Sequence, residues 1–363
     1  MNKERIFEYD FLRILAALMV FINHIWAFLP FKIPDFGGRG VEIFFILSGF
    51  LMYYNYSNRQ LSISFFDSIK FGIKKIYPYW FLHIITMLFM LVLHVQNEGG
   101  IWLKQNIFSL ICNIFLIQTF VPVHDVYFGF NGVSWFLSSI LFSYILFPLL
   151  LTIVKKIANT EKYLLLMIIT YLGLMFLQTA YKGYGLYTNH YVFYVFPLYG
   201  LSLFFMGILL SAIFIGRYKL SYTANNKLKS LITIILYGGG YLISVIFFRT
   251  WNNLNFIPME ILLIYFLGRL SGMIPFFSKL CSSKFISVLS AFTFDFYLIH
   301  HVVILYYWKL HPIFLGIMRR DFGWKGQVFF IFLTSLILSL LSWYMTKIIK
   351  KIIRKRREVV YES

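Results

Sequence analysis

The sequence predicts an all-α membrane protein, a polytopic bundle of about ten transmembrane helices with both termini in the cytoplasm. Of the 363 residues, 60% are hydrophobic and 13% are charged, whereas soluble domains carry about 25% charged residues. A chain this apolar could not cover its own surface in water. Apolar runs near the length that crosses a bilayer fall at about 11–30, 40–56, 77–95, 134–154, 163–180, 191–215, 231–248, 257–275, 286–308 and 326–348.

We therefore expect a single integral membrane domain over 1–363, with no appended soluble domain, that crosses the cell membrane (plasma or inner) many times. A shorter apolar run over 107–121 contains Asn113 and Gln118. The basic N-terminus and the basic tail over 347–357 should both face the cytoplasm, where membrane proteins collect Lys and Arg. Two ends on one side require an even number of crossings. The run over 107–121 is therefore predicted to be re-entrant or interfacial.

The net charge of +19 comes from 33 Lys and Arg against 14 Asp and Glu. In a soluble protein this excess would suggest nucleic acid as a partner. Here the ten-span topology places most of the basic residues on the cytoplasmic side, so nucleic acid is not expected and the lipid bilayer is. Cys112 and Cys281 are too few for a disulfide framework, and no His/Cys spacing typical of zinc appears, so we expect no metal.

Ionisable side chains at membrane depth cost free energy, so each is a candidate functional residue. Eleven residues at about 100° each return Arg13 and His24 to nearly the same face of the first helix, about 16 Å apart. Two simpler interpretations stay open: a snorkelling Arg at the cytoplasmic boundary, and a His hydrogen-bonded between helices. Further candidates are the buried acids Glu260 and Asp295. His300 and His301, which are adjacent in the outer half of their helix, are candidates as well.

Glu42 lies near the start of the second helix, just inside the outer boundary. If the first two helices pack antiparallel, Glu42 comes near the depth of His24. A carboxylate beside an imidazole fixes its tautomer and raises its basicity. A carboxylate that stabilises the start of the helix is an equal alternative.

Lys74 and Lys75 stand next to aromatic residues at the end of a predicted cytoplasmic loop. Their charges suit the phosphate groups of a cytosolic cofactor. They suit the head groups of anionic lipids equally well.

These motifs, in this order, resemble those of the acyltransferase 3 family of integral membrane acyltransferases. The resemblance covers nearly the whole chain, and it rests on Tyr9-Asp10-Phe11-Leu12-Arg13-Ile14-Leu15-Ala16 with His24, on Gly40-Val41-Glu42-Ile43-Phe44-Phe45-Ile46-Leu47-Ser48-Gly49-Phe50, on Lys74-Lys75-Ile76-Tyr77-Pro78-Tyr79-Trp80 and on Phe296-Tyr297-Leu298-Ile299-His300. The chain departs from many members in two places. It has lysines at 74 and 75 where they have arginines, and Ser134-Trp135-Phe136-Leu137-Ser138-Ser139 contains no acid where they carry a Glu-rich motif.

The resemblance implies transfer of an acyl group, usually acetyl, from acetyl-CoA as donor substrate to a hydroxyl of a cell-surface glycan. Succinyl-CoA would present the same phosphates, and the missing acid fits the branch that modifies exopolysaccharides. The glycan acceptor can be lipid-linked, and the machinery of polysaccharide assembly is a candidate partner. The alternative is a transporter or exporter of glycan intermediates that performs no acyl transfer.

The resemblance also assigns roles to residues. Arg13, Lys74 and Lys75 would bind the phosphates of acyl-CoA. His24 would act as general base on the acceptor hydroxyl or accept the acyl group itself, with Glu42 as its catalytic partner. Trp135 and His300 are candidates for acceptor binding or for structural roles.

Overall fold

The computed structural model describes residues 4–98, 106–181, 190–217, 238–246, 253–269, 271, 274–318 and 323–362, and these residues form helices and connections with no strand. The helices are, in chain order, α1 (Glu8–His24), α2 (Phe36–Tyr56), α3 (Phe65–Glu98), α4 (Ile107–Ile114), α5 (Trp135–Ile157), α6 (Thr160–Tyr181), α7 (Pro197–Arg217), α8 (238–246), α9 (Ile257–Arg269), α10 (Pro275–Cys281), α11 (Lys284–Ala291), α12 (Thr293–Met318) and α13 (Gly323–Glu362). Single turns of helix lie at Trp26–Phe28, Gln118–Phe120, His124–Tyr127, Gly132–Ser134, Tyr191–Val195 and Asn253–Phe256.

Six of the described helices are long and apolar enough to cross a membrane: α2, α3, α5, α6, α7 and α13. The pair α11 and α12 makes a seventh candidate span, bent by 57° at its break. Two predicted spans correspond to shorter helices, since α1 has 17 residues and α9 has 13. The predicted span over 231–248 lies mostly outside the described residues. The all-helical, multi-span class is confirmed, with six or seven candidate spans in the described part of the chain.

The predicted re-entrant segment begins with α4, which has eight residues. At 1.5 Å per residue α4 is about 12 Å long, much shorter than the roughly 30 Å of bilayer hydrocarbon. Buried amides fasten the segment to the bundle. Asn113 Nδ2 donates to the Val126 carbonyl at 3.1 Å, and Gln118 Nε2 donates to the Ser134 carbonyl at 3.4 Å. α4 alone is therefore too short to cross the bilayer as a helix, and a re-entrant or interfacial position of 107–121 stays a prediction.

α2 lies between α1 and α7 and contacts both through glycines. A Cβ atom built on Gly40 would lie 2.5 Å from the Ala16 carbonyl oxygen of α1, and one built on Gly49 would overlap the Phe204 carbonyl oxygen of α7. Small residues that let backbones approach closely are the usual means of helix packing in membranes. These two contacts fix the rotation of α2 and hold α1 against it.

Gly49→Ala should destabilise the protein by about 1–3 kcal/mol, because the added methyl group forces α2 and α7 apart. Gly173→Ala is the matched control, since among the described residues no atom comes within 4 Å of a Cβ at Gly173. The control should be neutral or gain up to about 1 kcal/mol from helix propensity. Thermal unfolding of both variants in one detergent measures the difference. Equal midpoints for the two variants would contradict the close α2–α7 contact.

Candidate active site

A cavity of about 390 Å³ lies where α1 ends and α2 begins. Imidazoles, polar groups and aromatic rings line it together, in a part of the molecule that is otherwise apolar. The chemically active or polar side chains among them are Asn23, His24, Asp35, Trp135, His190, Tyr194, Tyr297 and His301. Such a mixture of apolar walls and a few polar groups is typical of a site for a small ligand or substrate.

His24, the last residue of α1, presents a defined ring nitrogen to the cavity. Its Nδ1 lies 2.8 Å from the Val20 carbonyl oxygen. A carbonyl only accepts, so Nδ1 carries the hydrogen and Nε2 carries the lone pair. His24 lines the cavity and therefore offers a basic and nucleophilic nitrogen there. The backbone of its own helix selects this tautomer.

His300 supports His24 from the buried side. His300 is fully buried, and its Nδ1 lies 3.0 Å from the Phe296 carbonyl oxygen. By the same argument its Nε2 is an acceptor, and it lies 3.2 Å from Nδ1 of His24. The N–H of His24 is thus shared between Val20 and His300. This geometry favours a positioning role for His300 over contact with an acceptor. The pairing could not be predicted from the sequence, because 276 residues separate the two rings.

The structure does not bring Glu42 to His24, which corrects the contact expected from the sequence. Glu42 Oε2 lies 2.7 Å from Nη1 of Arg39, and Glu42 Oε1 accepts a hydrogen bond of 2.5 Å from the Tyr199 hydroxyl. Gly40 faces α1, and a residue two positions further along a helix points about 200° away. Glu42 therefore faces α7 and α9, on the far side of α2. A role in the reaction stays a prediction, and it would be an indirect one.

Around Glu42 is a buried charge cluster. Arg39 is 2% exposed and both Glu42 and Glu260 are 0% exposed. The Tyr241 hydroxyl donates to Glu260 Oε1 at 3.1 Å, and the Arg39 guanidinium lies 4.8 Å from the Phe256 ring centroid. Arg39 is not among the residues predicted from the sequence, although its i,i+3 spacing from Glu42 is a pairing signal. The cluster ties α2 to α7, α8 and α9.

Arg13, Lys74 and Lys75 lie at the opposite end of the bundle from the cavity. Arg13 is 40% exposed and lies 3.5 Å from Asp10. The Lys75 Nζ donates to the Tyr56 hydroxyl at 2.8 Å and lies 4.6 Å from the centroid of the same ring. Lys74 is exposed. The three cations thus share one end of the molecule, but only Lys75 is held in place by an aromatic partner at close range.

A file of aromatic rings connects the two ends. Tyr79, which lies within electrostatic range of Arg13, packs on Phe294 with ring centroids 4.3 Å apart. Phe294 lies 5.8 Å from Tyr297, which in turn lies 6.1 Å from His300. Tyr297 also lines the cavity. The file therefore follows the direction from the cationic end to the imidazoles.

Two buried acids, Glu8 and Asp10, lie at the start of α1. Glu8 Oε1 accepts a hydrogen bond of 2.9 Å from the Ser278 hydroxyl, and Asp10 Oδ1 accepts one of 3.0 Å from the Ser290 hydroxyl. Arg5 pairs with Asp10 at 2.6 Å. They follow directly on the basic N-terminus that is predicted to face the cytoplasm, where carboxylates are usually solvated. In the structure they anchor α1 to α10 and α11.

The cysteines do not enter the candidate chemistry. Both Cys112 and Cys281 are buried, and burial raises the pKa of the Cys281 thiol to about 12. A thiol with so high a pKa forms little of the nucleophilic thiolate at neutral pH. Within the described ranges, no group of three or more His, Cys, Asp or Glu side chains is arranged to hold a metal ion.

The fold and the site together define a multi-span helical membrane protein with imidazoles in a cavity between its helices. The chain belongs to the acyltransferase 3 family, whose model, described as an acyltransferase domain, matches residues 6–344. This match confirms the resemblance seen in the motifs, and it supports acyl transfer as the activity.

Two curated proteins are similar to parts of the chain. It is 32% identical to Acyltransferase MdmB of Streptomyces mycarofaciens over 162 residues, which are 40% of this chain and 39% of that protein. It is 31% identical to Nodulation protein 10 of Rhizobium leguminosarum bv. viciae over 173 residues, which are 41% of this chain and 45% of that protein. The match thus spans about two fifths of the length of these relatives. No solved structure matches the chain.

Proposed function

We propose that this protein transfers an acyl group, in the first place acetyl, from cytosolic acyl-CoA to a hydroxyl group of a cell-surface glycan such as an exopolysaccharide. The observation that carries the proposal is His24, whose Nε2 lone pair faces a polar cavity in a chain of an acyltransferase family. A single domain in the cell membrane would join a cytosolic donor to an acceptor on the other side.

The proposal includes ten membrane crossings with both termini in the cytoplasm. The basic tail over 347–357 supports a cytoplasmic C-terminus. The 17 residues of α1 extend about 26 Å, close to the thickness of the bilayer hydrocarbon, so α1 is counted as a crossing. A reporter domain fused after Gly323 should be found outside the cytoplasm. A cytoplasmic reporter at that position would overturn the topology without touching the proposed chemistry.

The cationic end of the bundle is the proposed site for the phosphates of acyl-CoA. Arg13 supplies a planar guanidinium that can bind a phosphate with two hydrogen bonds, whereas Lys74 and Lys75 act as point charges. The pantetheine arm would follow the aromatic file of Tyr79, Phe294 and Tyr297 towards His24. This path brings the thioester from the cytosolic end to the imidazole.

Two routes for the chemistry at His24 follow from its free Nε2 lone pair. As a general base, His24 removes the proton of the acceptor hydroxyl while the oxygen attacks the thioester carbonyl carbon. As a nucleophile, it takes the acyl group itself and passes it on. In both routes the C–S bond breaks and CoA leaves as the thiolate. Glu42 is retained as a positioning residue that acts through Arg39 and the packing of α2.

The opposite wall of the cavity suits a sugar. Trp135 and Tyr194 offer ring faces with centroids 4.7 Å apart, against which the C–H groups of a sugar can pack. Asp35, Asn23 and the exposed His190 offer hydrogen-bonding groups beside them. Apolar walls with a few placed polar groups give orientation and specificity to a bound ligand. The same wall would accept a glycan carried on a lipid and delivered by polysaccharide-assembly proteins.

Purified protein in detergent, supplied with radiolabelled acetyl-CoA and a surface glycan, tests the function. Transfer of label to the glycan together with release of CoA is the expected result. Export of unmodified glycan intermediates from vesicles, without consumption of the thioester, would instead show a transporter. Succinyl-CoA in the same assay compares the two acyl donors.

Lys74→Ala should raise the apparent KM for acyl-CoA about 3- to 10-fold with little change in kcat, because it removes a charge that binds the donor in the ground and transition states alike. Lys75→Ala should raise the KM too and should also lower thermal stability, since Lys75 contacts the Tyr56 ring. Lys156→Ala is the control, an exposed lysine at the end of α5. Steady-state kinetics with varied acyl-CoA give the values. An unchanged KM in both variants would contradict the phosphate site.

A further inference from the structure

A second imidazole, that of His301, lines the same cavity as His24. The two ring centroids are 5.5 Å apart. His301 follows His300 directly, and consecutive residues of a helix point about 100° apart. His300 therefore contacts His24 from the buried side while His301 faces the cavity. A pair of imidazoles around one cavity at membrane depth is costly to bury and calls for a function.

Hydrogen bonds also fix the tautomer of His301. The Asn131 amide nitrogen donates to the Leu298 carbonyl at 2.9 Å and to the Thr86 hydroxyl at 3.1 Å. The carbonyl oxygen Oδ1 of Asn131 is thereby turned towards His301, whose Nδ1 lies 3.2 Å away. Because Oδ1 only accepts, Nδ1 of His301 carries the hydrogen and its Nε2 carries the lone pair.

The lone pair of His301 reaches the cavity past a glycine. Gly132 lines the cavity, and a Cβ atom built on it would lie 3.4 Å from Cε1 and 3.9 Å from Nε2 of His301. The edge of His301 formed by Cε1 and Nε2 therefore faces Gly132 in the cavity wall. His24 and His301 line the same cavity of about 390 Å³, and each carries its lone pair on Nε2. The volume of the cavity is large enough to hold a hydroxyl group and an acyl carbon beside the two rings.

The geometry points to separate catalytic roles for the two imidazoles, an inference that rests on the proposed function. His24 carries the acyl group, and His301 is the base for the acceptor hydroxyl. In the first step Nε2 of His24 attacks the thioester carbonyl carbon, the C–S bond breaks and CoA leaves as the thiolate. In the second step the acceptor oxygen attacks the acyl carbon while Nε2 of His301 takes the hydroxyl proton. The C–N bond breaks and its electron pair returns to His24. His301 then releases the proton, whose charge balances that of the thiolate. Asn131 is the positioning residue of His301.

Removal of His301 should separate the two half-reactions. With acetyl-CoA, His301→Gln should still release a burst of about one CoA thiol per protein, but its transfer to the glycan hydroxyl should fall about 10²- to 10⁴-fold. Hydroxylamine attacks an acyl group without a base, so with hydroxylamine as acceptor the variant should turn over at nearly the wild-type rate. His24→Ala should lose the burst and both transfers. His311→Gln, an imidazole further along α12, is the control and should match the wild type.

The outcomes are distinct. Wild-type transfer to the glycan by His301→Gln, or a loss of the burst and of hydroxylamine turnover in equal measure, would overturn the assignment of His301. If His301→Gln does not fold, Asn131→Ala takes its place, with about a 10-fold loss on the glycan and none on hydroxylamine as the expected result; equal losses on both acceptors would count against the assignment. A wild-type protein that releases no CoA from any acyl-CoA would instead refute the proposed function itself.

Discussion

His24→Ala should lower acyl transfer at least about 10³-fold, the largest effect expected of any substitution in the chain. His24 is the base or nucleophile that both proposed routes share, and loss of such a group commonly costs 10²- to 10⁴-fold. The cavity would remain, since Val20 and His300 keep their places in α1 and α12. The measurement is release of CoA thiol and transfer of label to a glycan by purified protein.

The control for this substitution is Ile22→Ala on the same helix. Ile22 is 37% exposed on the surface of the bundle, and two residues along a helix place it about 200° from His24. Ile22→Ala should retain full activity, and both variants should elute from size-exclusion chromatography as the wild type does. Activity of His24→Ala within a few-fold of the wild type would remove His24 from the mechanism.

Arg39→Met should destabilise the protein by about 3–5 kcal/mol, because it leaves Glu42 buried without its positive partner. Glu42 is 0% exposed and its salt bridge to Arg39 measures 2.7 Å. At this depth of burial the carboxylate left without its partner has no contact with solvent. The thermal unfolding midpoint in detergent, read together with the yield of membrane-inserted protein, measures the loss.

A double variant separates the charge from the packing. Arg39→Met combined with Glu42→Gln should be more stable than Arg39→Met alone, since it removes the uncompensated charge while keeping the shape of the side chain. Glu42→Gln by itself should retain acyl transfer within about 10-fold per folded molecule, as expected for a residue that acts through packing. A loss in Glu42→Gln as large as that in His24→Ala would restore a direct role for this carboxylate.

The sequence was sufficient for the features that depend on one helix at a time. Helical spans follow from apolar runs of bilayer length, and the common face of Arg13 and His24 follows from the period of α1. The tautomer of His24 was expected to depend on Glu42, but the Val20 carbonyl, one turn earlier in the same helix, selects it. The family followed from motifs in order along the chain, and the family match over 6–344 bears this out.

Features that depend on which helices pack against each other could not be predicted from the sequence. Glu42 was expected beside His24 because both lie at similar depth in the membrane. Depth alone does not determine how a helix is rotated about its own axis. The rotation of α2 is decided by Gly40 against α1 and Gly49 against α7. This rotation turns the face of α2 that carries Arg39 and Glu42 towards Tyr199 of α7. The i,i+3 spacing indicates the pairing of Arg39 with Glu42, but not the contact with Tyr199.

What the sequence determined by itself is the class of protein, the family and the imidazole at the end of α1, because hydropathy, helical period and motif order are properties of the linear chain. Only the tertiary structure decided which side chains surround that imidazole. His300 and His301 come from a helix more than 270 residues away, and Asn131, which orients His301, comes from the turn before α5. Their meeting depends on packing between helices, of which the glycine contacts of α2 with α1 and α7 are an example, and this packing decides which side chains share a cavity.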